Sequence, residues 1–242
     1  MDFENVNINH EFISKISFVV VFLYAINATV SFKNGRLSWN CDSPLLGSYL
    51  YLLLGFMAMY FFSTVIVKRG LDNSMTNVFS SFILALVLTF VLFVIPSDYV
   101  ITKHLVWFIY LFCLSIMLFP SRMVDNSVYK SIILTVGIFL TLTVFANVFP
   151  NLVQMSWERT LIFALLVLII ITIINGVFYN NRKLFTYISV ISIGVFALFT
   201  IIDTRKLGLM DCAKPDYIEN TLNLFLDTIN IFVNVYSLNS NN

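Results

Sequence analysis

The sequence predicts an all-α integral membrane protein, a compact bundle of seven to eight transmembrane helices forming one polytopic domain over residues 1–242. Three observations carry that expectation. Of the 242 residues 59% are hydrophobic and only 11% charged, where a soluble domain carries about 25% charged residues; mean hydropathy is +0.90. Apolar runs of membrane-spanning length recur along the whole chain. The loops between them are short, with no low-complexity tract, soluble insertion or second domain.

Eight runs are candidates: 13–32, 46–67, 77–95, 104–119, 130–149, 160–178, 184–203 and 217–238. The first follows a polar, mildly acidic segment, MDFENVNINHEF. A cleaved signal peptide needs a basic n-region and a small-residue cleavage site. Neither is present, so the first span is expected to be retained. The second run closes on TVIVKRG at residues 64–70. The fourth is the shortest; it could be tilted, re-entrant or joined to its neighbour, which leaves seven and eight spans both open. The connections are marked by Lys33, Asn34 and Gly35, by Lys68, Arg69 and Gly70, by Pro120, Ser121 and Arg122, by Pro150 and Asn151, and by Asn180, Asn181 and Arg182.

Loop charge does not orient the chain. With eight spans, one side collects Lys15, Lys68, Arg69, Arg122, Lys130, Arg182 and Lys183. The other collects Lys33, Arg36, Lys103, Arg159, Arg205, Lys206 and Lys214. Seven against seven leaves the positive-inside rule silent. A net charge of +1 carries no footprint for nucleic acid or another polyanion. The lipid bilayer is the partner that composition implies. The three cysteines, Cys41, Cys113 and Cys212, have no metal-ligand spacing. Cys41 and Cys212 fall in loops an even number of spans apart, so they share a side and could pair; unpaired thiols are the plainer expectation. The sequon at Asn27 lies inside a span and is expected to be unused. His10 and His104 sit near segment edges without metal-ligand partners.

The chemistry concentrates near the C-terminus. In the last run Asn223, Asp227, Asn230 and Asn234 recur at steps of four, three and four. At 100° per residue they share an arc of about 60°, with Glu219 just outside it. Asparagines on such a face often hydrogen-bond between membrane helices, for about 0.6 kcal/mol each, and that accounts for the amides. It does not account for Asp227, because a charge at the bilayer centre costs about 2.5–3.5 kcal/mol.

A second acid, Asp203, ends the preceding run, where its plain reading is a surface acid beside Arg205 and Lys206. It reaches the depth of Asp227 only if the helix continues towards Gly208, a fitting C-terminal stop. Carboxyls that meet in low dielectric share a proton and titrate as a coupled pair. They would sense pH, and their oxygens could coordinate Ca²⁺. Lys68 and Arg69 read as interfacial snorkels. The sharper reading makes Arg69 a basic latch that pairs with the acids in a closed state, so that Arg69→Ala loosens that state.

Residues 196–204, FALFTIIDT, followed by a short polar loop and by residues 217–238, YIENTLNLFLDTINIFVNVYSL, resemble the C-terminal region of the Bax inhibitor/Lifeguard family, the transmembrane Bax-inhibitor-motif proteins. The family's pattern N-L-x-L-D-x-I-N-x-F is matched in register by Asn223, Leu224, Leu226, Asp227, Ile229, Asn230 and Phe232. Asp203 and Asp227 keep the family spacing. The resemblance implies a helical bundle, usually of seven spans, around a closed central pore, with Asp203 and Asp227 as a pH-sensitive dyad. It also implies a passive, pH-dependent Ca²⁺ leak and, in eukaryotes, suppression of cell death. The expected location is an endoplasmic reticulum or Golgi membrane for a eukaryotic or viral protein, and the cytoplasmic membrane for a bacterial one. An arginine near the end of the family's second span acts as a latch, for which Arg69 is the nearest candidate. The first three-quarters of the chain matches only in general pattern, and eight runs exceed the usual seven.

Other readings compete. An intramembrane aspartyl protease also needs two acids on adjacent helices. Presenilin-like enzymes, however, carry Gly-x-Gly-Asp, where this chain has Ile201-Ile202-Asp203 and Phe225-Leu226-Asp227. Gly-x-Ser-Gly and His-Glu-x-x-His are absent, so no enzyme is expected, and no cofactor beyond Ca²⁺ as the permeant ion. The chief alternative is a non-conducting membrane protein that modulates immune or cell-death regulators and keeps its acids for structure. A proton-coupled transporter is a third option, but no Gly/Pro-interrupted pair of spans is visible.

Overall fold

Hydrocarbon offers backbone N–H and C=O groups no water, so each apolar run must satisfy its own hydrogen bonds as a helix. In the computed structural model this holds for every run except the last three residues of the first. It describes residues 3–33, 36–41, 44–69, 74–118, 126–179, 181–210, 212 and 215–240. Among them lie eight α-helices: α1 (Phe3–Thr29), α2 (Pro44–Lys68), α3 (Met75–Val94), α4 (Val100–Leu118), α5 (Asn126–Val148), α6 (Trp157–Ile174), α7 (Arg182–Leu209) and α8 (Tyr217–Ser240). Six of these, α2 to α7, are long and apolar enough to cross a membrane. The described apolar part of α1, Ile16–Thr29, is shorter. In α8 the polar face found in the sequence holds the average hydropathy down. The turn markers Asn34, Gly35, Gly70, Pro120, Ser121, Arg122 and Asn180 lie outside the described residues.

Among the apolar runs, one bound changes and one open alternative is resolved. The first run was expected to stay helical to residue 32, yet α1 stops at Thr29. Val30–Lys33 forms β1, paired antiparallel with β2 (Arg36–Trp39) in the register Val30↔Trp39 and Lys33↔Arg36. Val30 and Phe32 belong to the residue types that suit a pleated strand. The fourth run is neither re-entrant nor merged with a neighbour. It is a regular helix that begins earlier than its apolar run, at Val100.

The chain divides into two compact units, residues 1–123 with 211–221 and residues 124–210 with 222–242. The first turn of α8 therefore belongs to the first unit and the rest of the helix to the second.

In the first unit the β-hairpin end is tied together by polar and aromatic contacts. Cys41 and Cys212 form a disulfide, with Cα atoms 5.6 Å apart, which corrects the expectation of unpaired thiols at these positions; Cys113 is free and buried. The Trp39 indole packs on His104, Tyr51 and Tyr217 and donates to Ser97 O at 2.8 Å. Tyr217 donates to Asn40 O at 2.9 Å. Its ring lies so close to Gly47 that a β-carbon there would overlap it, so this α2–α8 approach requires glycine. Thr221 donates to Ser48 O at 2.9 Å.

His104 Nδ1 lies 2.7 Å from Val100 O, which can only accept. The ring proton therefore sits on Nδ1, and Nε2 accepts from Tyr51 Oη at 2.6 Å. Lys103, fully buried, pairs with Asp216 and with Glu219 Oε2 at 3.2 Å. Asp216 Oδ1 accepts from Glu219 N at 3.1 Å, which caps the start of α8. Two residues read from the sequence as loop or helix-face charges, Lys103 and Glu219, are thus partners.

In the second unit α5, α6 and α7 pack through Ala146, Leu161, Leu168, Ile188, Val195 and Ile202. Phe196 packs with Ile231 and Val235 of α8. A five-residue π-turn (Asn175–Tyr179) ends the α6 rod. The buried Asn175 accepts from Asn181 N at 3.1 Å, and Asn181 Oδ1 caps α7 by accepting from Lys183 N and Leu184 N. Asn181 of the turn signal therefore acts through its side chain.

Candidate functional site

α7 runs through Asp203 to Leu209, just beyond Gly208. Asp203 is consequently a buried mid-helix residue, 8% exposed, and the surface-acid reading gives way. Its helix continues past it, and the Lys206 ammonium that follows finds two carboxylates. Lys206, one turn on, donates to Asp203 Oδ1 at 3.1 Å and to Glu158 Oε1 of α6 at 2.6 Å.

Asp203 lines a cavity of about 640 Å³ that lies wholly within the second unit. α6 contributes Glu158 and Thr172, and α7 adds Ser189 and Ser192. From α8 come all four members of the polar face, Asn223, Asp227, Asn230 and Asn234. The rest of the wall is mostly apolar, including Ile162, Leu165, Phe196 and Phe199. The periodicity that puts the four polar side chains on one arc therefore aims them at one space.

The amides do not act as interhelical glue there. Asn230 Nδ2 donates to Leu226 O and Asn234 Nδ2 to Asn230 O, each at 2.8 Å and each within α8. An interhelical amide contact is made instead by Asn239, outside the predicted face, which donates to Ser131 Oγ of α5 at 2.9 Å.

Asp227 differs from its neighbours. It is 6% exposed, and its Oδ2 is buried with no hydrogen-bond partner. Ser189 Oγ in the same cavity is also unpartnered. A buried polar atom without a partner costs about 1–3 kcal/mol, and more if charged. Asp203 and Asp227 line the same cavity and Lys206 is bonded to Asp203, so the structure gathers both predicted acids with one ammonium beside them.

Among the described residues no group of three or more His, Cys, Asp or Glu side chains is arranged to hold a metal ion. Ca²⁺ in proteins takes six to eight oxygens, and Asp203 with Asp227 would supply only part of such a shell. Arg69 is exposed just beyond α2 in the first unit, its N–H bonded to Val65 O at 3.0 Å.

Two charged residues of the site escaped the sequence reading. Lys206 was counted with the loops, although its spacing of three from Asp203 is that of an ion pair on one helix face. Glu158 lies 48 residues from Lys206, and no local pattern joins them.

A family model described as Inhibitor of apoptosis-promoting Bax1 matches residues 43–242. No match is found among curated proteins.

Proposed function

We propose, for a chain that belongs to the Bax inhibitor family, a pH-sensitive Ca²⁺ leak that passes the acid-lined cavity, modulates cell calcium and suppresses cell death. The observation that supports this reading most is the unpartnered carboxyl of Asp227 in a cavity it shares with Asp203. A residue kept for packing would have its oxygens satisfied, because the penalty for leaving one bare is large. A residue that must exchange a proton or an ion keeps an oxygen available. Asp203 and Asp227 then share a proton, and its gain or loss alters the charge that a permeant cation meets. The role needs no enzymatic step and no cofactor. Membrane-spanning helices already require contact with the lipid bilayer; cell-death regulators would be its protein partners.

In cells, the chain should lower the resting Ca²⁺ content of the store whose membrane holds it, and Asp203→Asn should not. A store-targeted Ca²⁺ indicator reads the difference. Equal depletion by both forms would remove Asp203 from the pathway.

An endoplasmic reticulum or Golgi membrane fits a eukaryotic or viral source, and the cytoplasmic membrane a bacterial one. The Cys41–Cys212 disulfide supports an orientation, since such bonds persist in oxidising compartments. The β-hairpin end of the first unit then faces the lumen or cell exterior, and Lys68 and Arg69 face the cytosol. An impermeant maleimide applied to the cytosolic face of sealed vesicles should label Lys68→Cys and spare Asp98→Cys. The opposite pattern would reverse the orientation.

A further inference from the structure

Two acids that line the cavity, Glu158 and Asp203, hold a cation between them. Lys206 reaches from α7 to Glu158 on α6 at 2.6 Å and to Asp203 on its own helix at 3.1 Å. These two carboxylates are unequal neighbours: the Glu158 side chain is 39% exposed and that of Asp203 11%. The Lys206 side chain is 32% exposed, and its ammonium lies between an outer and an inner carboxylate, while Asp227 in the same site has none of its bonds. Two carboxylates share one ammonium and a third carboxyl, that of Asp227, lines the same cavity, so carboxyls outnumber the ammonium.

We infer that Lys206 is a tethered cation that competes with the permeant ion for Asp203, and that Glu158 opens the site by drawing the ammonium outward. This deepens the leak reading and rests on it for the identity of the cargo. A tethered group acts at a local concentration in the millimolar range or above, so it can hold the site against ordinary Ca²⁺ levels. Displacing the ammonium from Asp203 costs least when a second carboxylate already shares it. Glu158 is in this account a positioning residue that acts through Lys206.

The competing explanation is a brace between α6 and α7, in which loss of either end would have the same sign. A second competitor is simple charge at the cavity mouth, in which the two ends act independently. Four proteins separate these: wild type, Lys206→Gln, Glu158→Gln and the double variant, each reconstituted in vesicles and assayed for Ca²⁺ flux. Lys206→Gln should raise basal flux about tenfold, the weight of one charge-assisted hydrogen bond. Glu158→Gln should lower flux in the wild-type background and change nothing once Lys206 is replaced. Equal signs for the two single variants, or a Glu158→Gln effect that persists in the double variant, would overturn the inference.

Terbium luminescence excited through the adjacent Trp157 supplies a readout independent of transport. Terbium should bind more tightly to Lys206→Gln, and Glu158→Gln should weaken binding more when Lys206 is present than when it is absent. If no protein leaks but terbium follows this order, the leak reading fails and the tethered cation stands. If wild type leaks and neither assay shows the Glu158–Lys206 dependence, the reverse holds. Glu158 is part-exposed and its change to Gln is expected to leave the fold intact, so a Glu158→Gln protein with wild-type flux and terbium affinity overturns the inference even if Lys206→Gln does not fold.

Discussion

Lys103→Met is expected to destabilise the first unit by about 3–5 kcal/mol, the usual cost of removing one partner from a buried ion pair. Lys103 is fully buried and Asp216 is 6% exposed, so the substitution leaves a carboxylate inside the protein without its countercharge. The methionine fills much of the lysine stem's volume, which confines the loss to electrostatics and hydrogen bonding. Thermal unfolding in detergent should show it as a large fall in midpoint. The double variant Lys103→Met with Asp216→Asn should recover part of the loss, because the two residues share one interaction. A wild-type midpoint for Lys103→Met would mean that the pair carries no weight. The effect should centre on the start of α8, whose first turn is also held by the Cys41–Cys212 bond, by Tyr217 on Asn40 and by Thr221 on Ser48.

Asp227→Asn should have the opposite effect on stability and the larger effect on function. The wild-type carboxyl keeps a buried oxygen with no partner. An amide of the same shape in that place carries no charge, so leaving it buried without a partner costs less. At neutral pH the variant is expected to be more stable by about 1 kcal/mol or more. Its flux should no longer change with pH, since the group that exchanges the proton with Asp203 is gone. A variant that gains stability and loses regulation would identify Asp227 as a residue kept for activity at the expense of the fold. A less stable variant with unchanged flux would make the acid structural.

How much of this was legible follows from the range of each interaction. All eight helices could be read because each apolar run signals itself locally. The shared face of Asn223, Asp227, Asn230 and Asn234 was also legible, since helical period alone fixes it, and those four side chains do line one cavity. Helix continuation past Asp203 depended on Gly208, and the helix does run on to its neighbour Leu209.

The β-hairpin was hidden because Val30 and Phe32 prolong an apolar run, and a short apolar stretch has no period to distinguish strand from helix. Pairing of Cys41 with Cys212 spans 171 residues; parity of spans permits it but cannot select it. Glu158 and Lys206 meet only because α6 packs beside α7, and that packing is written in apolar surfaces rather than in either charged residue. Lys103 and Lys206, counted as loop charges, are each paired with carboxylates, so the balance of seven against seven overstated the free charge on their side.

Ca²⁺ flux from reconstituted vesicles across pH 5–8, with wild type beside Asp227→Asn, tests the central claim most directly. The account predicts a wild-type flux that changes with pH and a variant profile that is flat. Folded wild-type protein that passes no Ca²⁺ at any pH would contradict it, and would leave the acids of the second unit to packing or to the binding of a partner.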